Sequence, residues 1–251
     1  MPPWASTIPS GRRQRSTEAE PIADFPNDPM YCPAHFEETR CEQLHPLIQT
    51  HPLGLLITQD EAGRPLVNPI PFLLDTGRGA LGTLVGHVAR ANPVWQSVDP
   101  GGAAELPVLV VFQGPNAYVS PSAYPSKAKH GRVVPTWNYA VVEARGALRI
   151  LAPDAAHATV SRLTDWQEAE RDRPWAVSDA PQAYVDSMLA AIVCLEIPLT
   201  SLRGKFKLSQ NRTAEDRSGV ERLLGDGPDP GARSLAHWMA RSSVPTGSEP
   251  R

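Results

Sequence analysis

Lysine is the first candidate for chemistry in this sequence, because the chain uses it at only four positions. Among 24 basic residues, the lysines are Lys127 and Lys129 in SKAKHG and Lys205 and Lys207 in GKFKLSQN. Lysine is a compact point charge and arginine a planar fork, so the two are not interchangeable. If residues 204–208 are extended, both lysines there share one face and can reach one anion, for which phosphate is the natural ligand. Solvated lysine pairs that protect strand edges explain the spacing equally well.

A second cluster is GTLVGHVARANP, residues 82–93. It reads as a strand that ends near His87 and leads into a short helix, and such a turn presents free backbone N–H groups to an anion. Arg90 would add a two-pronged donor. Asn92 would bond a ribityl or ribose hydroxyl, or would only make the turn before a proline. His87 is either a structural hydrogen-bonding residue or a ligand.

The third cluster spans residues 112–139 and combines aromatic rings with small polar side chains. Its polar and aromatic members include Tyr118, Ser120, Ser122, Tyr124, Lys127, His130, Thr136, Trp137, Asn138 and Tyr139. Rings beside polar edges, stiffened by prolines, suit a flat heteroaromatic ligand, and long ordered loops are usually functional. The alternative is a proline-rich loop whose rings cover the core.

The composition describes an ordinary globular protein. The chain has 251 residues, a formal net charge of -3 and 41% hydrophobic residues, so nothing attracts it globally to nucleic acid or membranes. Its 27 prolines exclude a coiled coil, because an interior proline breaks a helix. No stretch approaches the roughly 20 apolar residues of a membrane helix, and no secretory signal is evident, so we expect a cytoplasmic protein. The cysteines, Cys32, Cys41 and Cys194, lack the spacing of a disulfide or zinc site.

The elements that must position these clusters lie in one predicted domain, residues 30–225. Residues 1–29 and 226–251 lack apolar periodicity and are predicted to be disordered, and Met30 is a candidate alternative start. Apolar runs predict strands at 53–58, 66–74, 80–88, 106–112, 117–120, 137–151 and 192–201. Helical spacing predicts helices over 37–49, 154–168 and 213–225. This order favours a mainly antiparallel barrel or sandwich with helices on the outside.

Several catalytic signatures are missing from the sequence. It has no GxGxxG, no phosphate loop of the GxxxxGKS type, no GxSxG elbow and no HExxH. The sequence therefore lacks the motifs that dinucleotide-fold enzymes, nucleotide triphosphatases, serine hydrolases and zinc proteases use. We assign no catalytic residue and no metal ligand.

Five motifs in order resemble the PaiB family of FMN-binding negative transcriptional regulators. They are MYCPAHF (30–36), GHVARANP (86–93), FQGPNAYVSPSAY (112–124), HGRVVPTWNY (130–139) and LRGKFKLSQN (202–211). The resemblance covers residues 30–225. It implies an FMN-binding split β-barrel, close to pyridoxamine-phosphate-oxidase and flavin-reductase barrels, that works as a homodimer with flavin at the subunit interface. Cys32 and Ala123 depart from the family pattern, and Ala123 removes one wall of the aromatic platform.

The resemblance also implies roles for particular residues. The expected FMN-binding residues are His87, Arg90, Asn92, Tyr118, Ser120, Lys127, Thr136, Trp137, Asn138, Lys205, Lys207, Ser209, Gln210 and Asn211. The group from His87 to Asn92 would hold the phosphate and ribityl end, and the lysines with residues 209–211 would complete it. Residues 136–138 would lie beside the isoalloxazine, from the second subunit.

Three functions follow from the resemblance. The first is a negative transcriptional regulator whose flavin senses redox state or a metabolite; DNA binding rests on the family description alone, because the domain is slightly acidic and shows no recognition helix. The second is an FMN-dependent oxidoreductase or flavin reductase acting on a small substrate. The third is a haem-handling protein of related fold.

Overall fold

The computed structural model describes residues 30–60, 62–98 and 106–242. The predicted disordered segment 1–29 and the end of the predicted C-terminal tail, 243–251, lie outside the described residues. Within them the strands are β1 (Glu37–Glu38), β2 (Leu53–Gln59), β3 (Pro65–Pro71), β4 (Leu73–Asp75), β5 (Thr83–Ala89), β6 (Leu106–Val119), β7 (Thr136–Ile150) and β8 (Ile192–Lys207). The α-helices are α1 (Cys41–Thr50), α2 (Ser126–His130), α3 (Ala156–Glu168), α4 (Gln182–Ala190), α5 (Ala214–Gly225) and α6 (Pro230–Arg241).

The strands close into an antiparallel barrel because one extended segment changes partner partway along its length. The sheet runs in the order β3-β2-β6-β7-β8-β5-β4, and β1 adds to β8. Only Phe72 separates β3 from β4, so the same segment pairs first with β2 and then with β5. Phe72 is buried in the core, edge to face with Phe112 at 6.2 Å between ring centroids. The predicted class, mainly β with flanking helices and a split barrel, is confirmed.

Alternation of buried and outward side chains explains why these sequences form barrel strands. Along β7, Ala140, Val142 and Ala144 are buried while the residues between them are only partly covered. This period of two is what a strand with one face on a core requires. The stretches 106–112 and 117–120, predicted as two strands, form the single strand β6, because a bulge between Gln113 and Asn116 accommodates the proline there.

The helices cover the barrel, and α1 begins later than predicted. The predicted helix 37–49 starts only at Cys41, because residues 37–38 form β1 against β8. Helix α1 tolerates Pro46 and buries Leu44, Leu47 and Ile48 against the core. In the three described ranges, no helix is long and apolar enough to cross a membrane.

The prediction of disorder after residue 225 is wrong for residues 230–242. Asp229 accepts a hydrogen bond from Gly231 N at 2.9 Å and so caps α6. Leu235, Trp238 and Met239 lie at helical spacing and are buried, and the helix packs on β6 and α5. The short apolar patch is enough to fold because the barrel supplies its partner surface.

Truncation of Leu235, which is buried between α6 and the barrel, should destabilise the whole domain. We expect Leu235→Ala to lower the free energy of unfolding by about 2–5 kcal/mol, since Leu235 is fully buried and the truncation leaves a cavity. Leu223→Ala is the matched control on α5, because Leu223 is 44% exposed and should lose less than about 1 kcal/mol. Urea unfolding measures both. Equal small losses would contradict the burial of α6.

Candidate functional site

Strand register places aromatic and basic side chains on one outward face of β6, β7 and β8. Tyr118 lies opposite Trp137, and Tyr139 lies opposite Lys207. The rings of Tyr118 and Trp137 are 52% and 53% exposed and meet edge to face at 6.4 Å. We call Tyr118, Trp137, Tyr139, Lys205 and Lys207 the cationic face.

The predicted spacing of the two lysines is confirmed. Residues 204–207 belong to β8, so Lys205 and Lys207 point to one side while Phe206 between them is buried in the core. The strand therefore holds two ammonium groups on one surface. The extended backbone makes this arrangement rigid rather than a chance meeting of flexible side chains.

Lys207 forms its side-chain hydrogen bond with a neutral group. Its Nζ donates to Thr136 Oγ1 at 2.5 Å. Burial lowers the pKa of Lys207, and the positive charges of Lys205 and Arg212 lower it further. Within the described residues, no carboxylate forms an ion pair with Lys207. An anion at this position would remove that repulsion.

Lys205 is already engaged by the segment that precedes β1. Its Nζ donates to the carbonyl oxygen of Tyr31 at 2.7 Å. The same ammonium lies 5.3 Å from the ring centroid of Tyr31 and 5.7 Å from that of Tyr139. Lys205 therefore has cation–π and carbonyl contacts but, like Lys207, no carboxylate partner among the described ion pairs.

Three of the predicted residues support the turn after β8. Asn138 donates through Nδ2 to Ser209 Oγ at 2.8 Å, and both side chains are buried. Gln210 accepts from Leu208 N at 2.7 Å and donates to the Phe206 carbonyl. Asn211 is exposed at the tip of the same turn.

The remaining residues of the third cluster lie around α2. Ser120 accepts from Ser122 N at 3.2 Å and caps a 3-10 helix, Pro121–Ala123. Lys127 is exposed on α2, and its neighbour Lys129 forms an ion pair with Glu215 at 2.5 Å. The predicted long loop is therefore partly ordered into two short helices.

His87, Arg90 and Asn92 form a separate group at the end of β5. Arg90 donates to the carbonyl oxygens of Ala190 at 2.7 Å and Ile192 at 2.8 Å. The short helix predicted after it is a 3-10 helix, Pro93–Ser97. The guanidinium thus fastens the end of β5 to the start of β8.

Asn92 combines a local structural role with a place in a cleft. It accepts from Val94 N at 3.0 Å, the turn-making role that its position before proline predicts, and donates to Asn68 Oδ1 at 2.9 Å. Both amides line an open cleft of about 550 Å³ between the β2–β3 hairpin and the 3-10 helix, which we call the amide cleft. Its walls also carry Leu66 and Val67, which are partly exposed.

His87 is half-buried on β5. Its Nδ1 atom is buried and has no hydrogen-bond partner in the described structure. Burial lowers the pKa of the imidazole. A buried, unpartnered ring nitrogen is a polar group that a ligand can satisfy.

The group at the end of β5 and the lysines of the cationic face lie near opposite ends of β8 in one chain. His87 pairs with Cys194 near the start of β8, whereas Lys207 is the last residue of that strand. The path along an extended strand from Cys194 to Lys207 is about 40 Å. The amide cleft and the cationic face are therefore two separate surfaces, near opposite ends of β8.

Two further residues lie at these surfaces although the sequence analysis did not single them out. Arg212 follows the KLSQN motif and lies with its guanidinium carbon 4.9 Å from the ring centroid of Tyr124. Its basic character next to the lysine motif was the available signal. Asn68 carried no local signal, since only the fold brings it to Asn92.

The chain matches one protein-family model and is similar to several known proteins. The model of the family FMN_bind_2, described as "Putative FMN-binding domain", matches residues 30–201. An uncharacterized Emericella nidulans protein is 37% identical over 222 residues, 76% of this chain and 88% of that protein. The Bacillus subtilis protease synthase and sporulation protein PAI 2 is 30% identical over 210 residues, 84% of this chain and 96% of that protein. The solved FAD and heme binding protein from Mycobacterium smegmatis is 20% identical with a TM-score of 0.48, covering 68% of this chain and 73% of that chain.

Stability should fall on acidification partly because of His87. Its folded pKa lies below the ordinary value of 6.5, so the unfolded chain takes up the proton first. The stability that comes from keeping the ring neutral is therefore present above about pH 6.5 and is lost as pH falls towards the folded pKa. We expect His87→Gln to unfold with a shallower pH dependence between pH 7.5 and 5.5, measured by urea unfolding.

Burial also lowers the pKa of His51. This residue is present in both the wild type and the His87→Gln variant, so its contribution to the pH dependence of stability is the same in both. The difference between the two curves therefore isolates His87. Parallel curves over this range would show that His87 takes up its proton equally in the folded and unfolded states.

Proposed function

Because this chain belongs to the PaiB family of FMN-binding-domain proteins, we propose that it binds FMN in a site made from the half-sites of two copies. The observation that carries the proposal is the group of Lys205, Lys207 and Arg212: the other two charges lie close enough to act on Lys207. Among the described residues, no carboxylate forms an ion pair with any of the three. A doubly charged phosphate at this surface would turn that repulsion into attraction. The residues present therefore fit the phosphate end of FMN.

The aromatic part of the cationic face fits the ring of the cofactor. Tyr118 and Trp137 are cross-strand neighbours with about half of each side chain exposed. Flat aromatic surface beside hydrogen-bonding groups is the usual composition of a heterocycle site. Thr136 and Asn138 supply hydroxyl and amide groups in the same strand, and Thr136 also holds Lys207. Bound flavin supplies redox chemistry, and these side chains would orient and retain it.

We propose that the amide cleft belongs to the same FMN site but comes from the second copy. Asn68 and Asn92 offer amide groups for ribityl hydroxyls, whereas His87 is not among the residues that line this cleft. These groups lie at the other end of β8 from the lysines. A two-fold dimer would bring one copy's cleft to the other copy's cationic face and so complete two equal sites.

Loss of the lysines should weaken FMN much more than riboflavin, which has no phosphate. We expect the double variant Lys205→Ala, Lys207→Ala to bind FMN about ten- to a hundredfold more weakly, because charge-assisted hydrogen bonds to phosphate are lost. Riboflavin affinity should change less than about threefold. Flavin fluorescence titration measures both. Lys129→Ala is the control, since that exposed lysine is paired with Glu215; equal loss for both flavins would refute a phosphate role.

Mixing two defective variants should restore binding if each site is shared. Asn68→Leu damages only the amide cleft, and the double lysine variant damages only the cationic face. In a mixed dimer, one of the two sites receives both intact halves, so about a quarter of the wild-type FMN sites should return after co-refolding equal amounts. Equilibrium dialysis counts bound FMN. A mixture that binds no more than its components would place the whole site in one chain.

We propose that the flavin serves as a redox or metabolite sensor in a negative transcriptional regulator, the role that the PaiB resemblance implies. Direct DNA binding has little electrostatic support, since the net charge is -3 and α6 turns its apolar face to the barrel. Titration of labelled promoter DNA at low salt tests it. A complex that weakens steeply with added salt would support direct binding.

An FMN-dependent oxidoreductase is a second candidate, favoured by the openness of the cationic face. A ring seated against Trp137 and Tyr118 would leave its other side accessible, because both residues lie on the outer surface. A second molecule such as a reduced nicotinamide could then approach the flavin. Steady oxidation of NADH or NADPH that requires added FMN would favour the enzyme over the sensor.

A further inference from the structure

The turn between β8 and α5 is strained and places Arg212 beside the lysines. Ser209 has φ of 63°, the left-handed region that residues other than glycine rarely adopt. Arg212 N donates to the Ser209 carbonyl at 3.1 Å, which closes the turn. Backbone strain of this kind persists only where the surroundings hold it.

Side-chain hydrogen bonds hold the turn at three places. Asn138 on β7 donates to Ser209 Oγ. Gln210 bridges Leu208 N and the Phe206 carbonyl. After the turn, Thr213 accepts from Asp216 N at 3.2 Å and starts α5. The position of Arg212 is therefore built into the fold at a cost in backbone energy.

The Arg212 guanidinium lies against a buried ring and forms no hydrogen bond with a described residue, although its charge also acts on the Asp216 carboxylate. The guanidinium stacks on Tyr124, which is only 2% exposed and so cannot move aside. The nearby Asp216 carboxylate accepts from Ser126 N at 3.0 Å and Ser126 Oγ at 2.7 Å. In residues 30–60, 62–98 and 106–242, no carboxylate forms an ion pair with Arg212.

We propose that Arg212 is the residue by which the site selects phosphorylated flavin, donating two parallel hydrogen bonds to the phosphate that Lys207 also contacts. This inference rests on the proposed FMN site. Lysine supplies a point charge, whereas the planar guanidinium matches two phosphate oxygens at once. The strained turn would hold the Arg212 guanidinium at a fixed distance from the lysines. It would thereby reduce the conformational entropy that the side chain loses when phosphate binds.

The ratio of FMN to riboflavin affinity tests the proposal on the full chain. We expect Arg212→Gln to lower this ratio about ten- to a hundredfold, with riboflavin affinity itself unchanged within about threefold. Arg212→Lys keeps the charge and should lose about three- to tenfold in the ratio, because the second donor is missing. Arg222→Gln removes an exposed charge from the same region of the chain and should leave the ratio unchanged. Urea unfolding shows that each variant is folded.

The outcomes separate this inference from the proposed function. If the wild-type chain binds FMN but Arg212→Gln weakens both flavins equally, Arg212 does not read phosphate and the flavin site stands. If Arg212→Lys behaves as Arg212→Gln does, the two-pronged bond is supported over simple charge. If Arg212→Lys retains the wild-type ratio, the two-pronged bond is refuted. A wild-type chain that binds neither flavin overturns both proposals.

Discussion

Strand β8 runs unbroken from Ile192 to Lys207 and hydrogen-bonds to β5 along its first half and to β7 over most of its length. An extended strand keeps its residues at fixed distances, so the groups attached to its two ends cannot approach each other within one chain. The start of β8 holds the β5 group through Arg90. Its end carries the lysines. For this reason we propose that an FMN site that uses both groups is shared between two copies.

The second determining feature is that Lys207 forms no ion pair with a carboxylate of the described residues. The described chain pairs some of its cations closely, as in Arg78–Glu196 at 2.6 Å and Arg203–Glu37 at 2.5 Å, and leaves others, such as Arg90, with carbonyl oxygens. At the cationic face it gathers positive charges and gives them only neutral acceptors, Thr136 Oγ1 and the Tyr31 carbonyl. Holding like charges together costs stability in the free protein. Together with the left-handed Ser209, this cost indicates a surface arranged for an anionic ligand.

The sequence predicts well what local pattern decides. Short apolar runs located most of the barrel strands, and the KFK spacing correctly put both lysines on one face. The sequence does not predict helix α6, because Gly227, Pro228 and Pro230 resemble a disordered tail. Its three apolar residues are too few to fold without the barrel. The partners of Arg90 and Asn92 could not be read locally, since Ala190, Ile192 and Asn68 are distant in sequence. The roles of Ser209 and Arg212 depend on a single dihedral angle and a stacked ring, which no spacing rule encodes.

We expect this fold to hold FMN tightly enough to retain it when free flavin is removed. The most direct measurement is the visible absorption spectrum of the purified protein after incubation with FMN and removal of free flavin by gel filtration. We expect a flavin band that elutes with the protein at one FMN per chain, in a species of dimeric size. A protein that elutes colourless after saturation with FMN would contradict it.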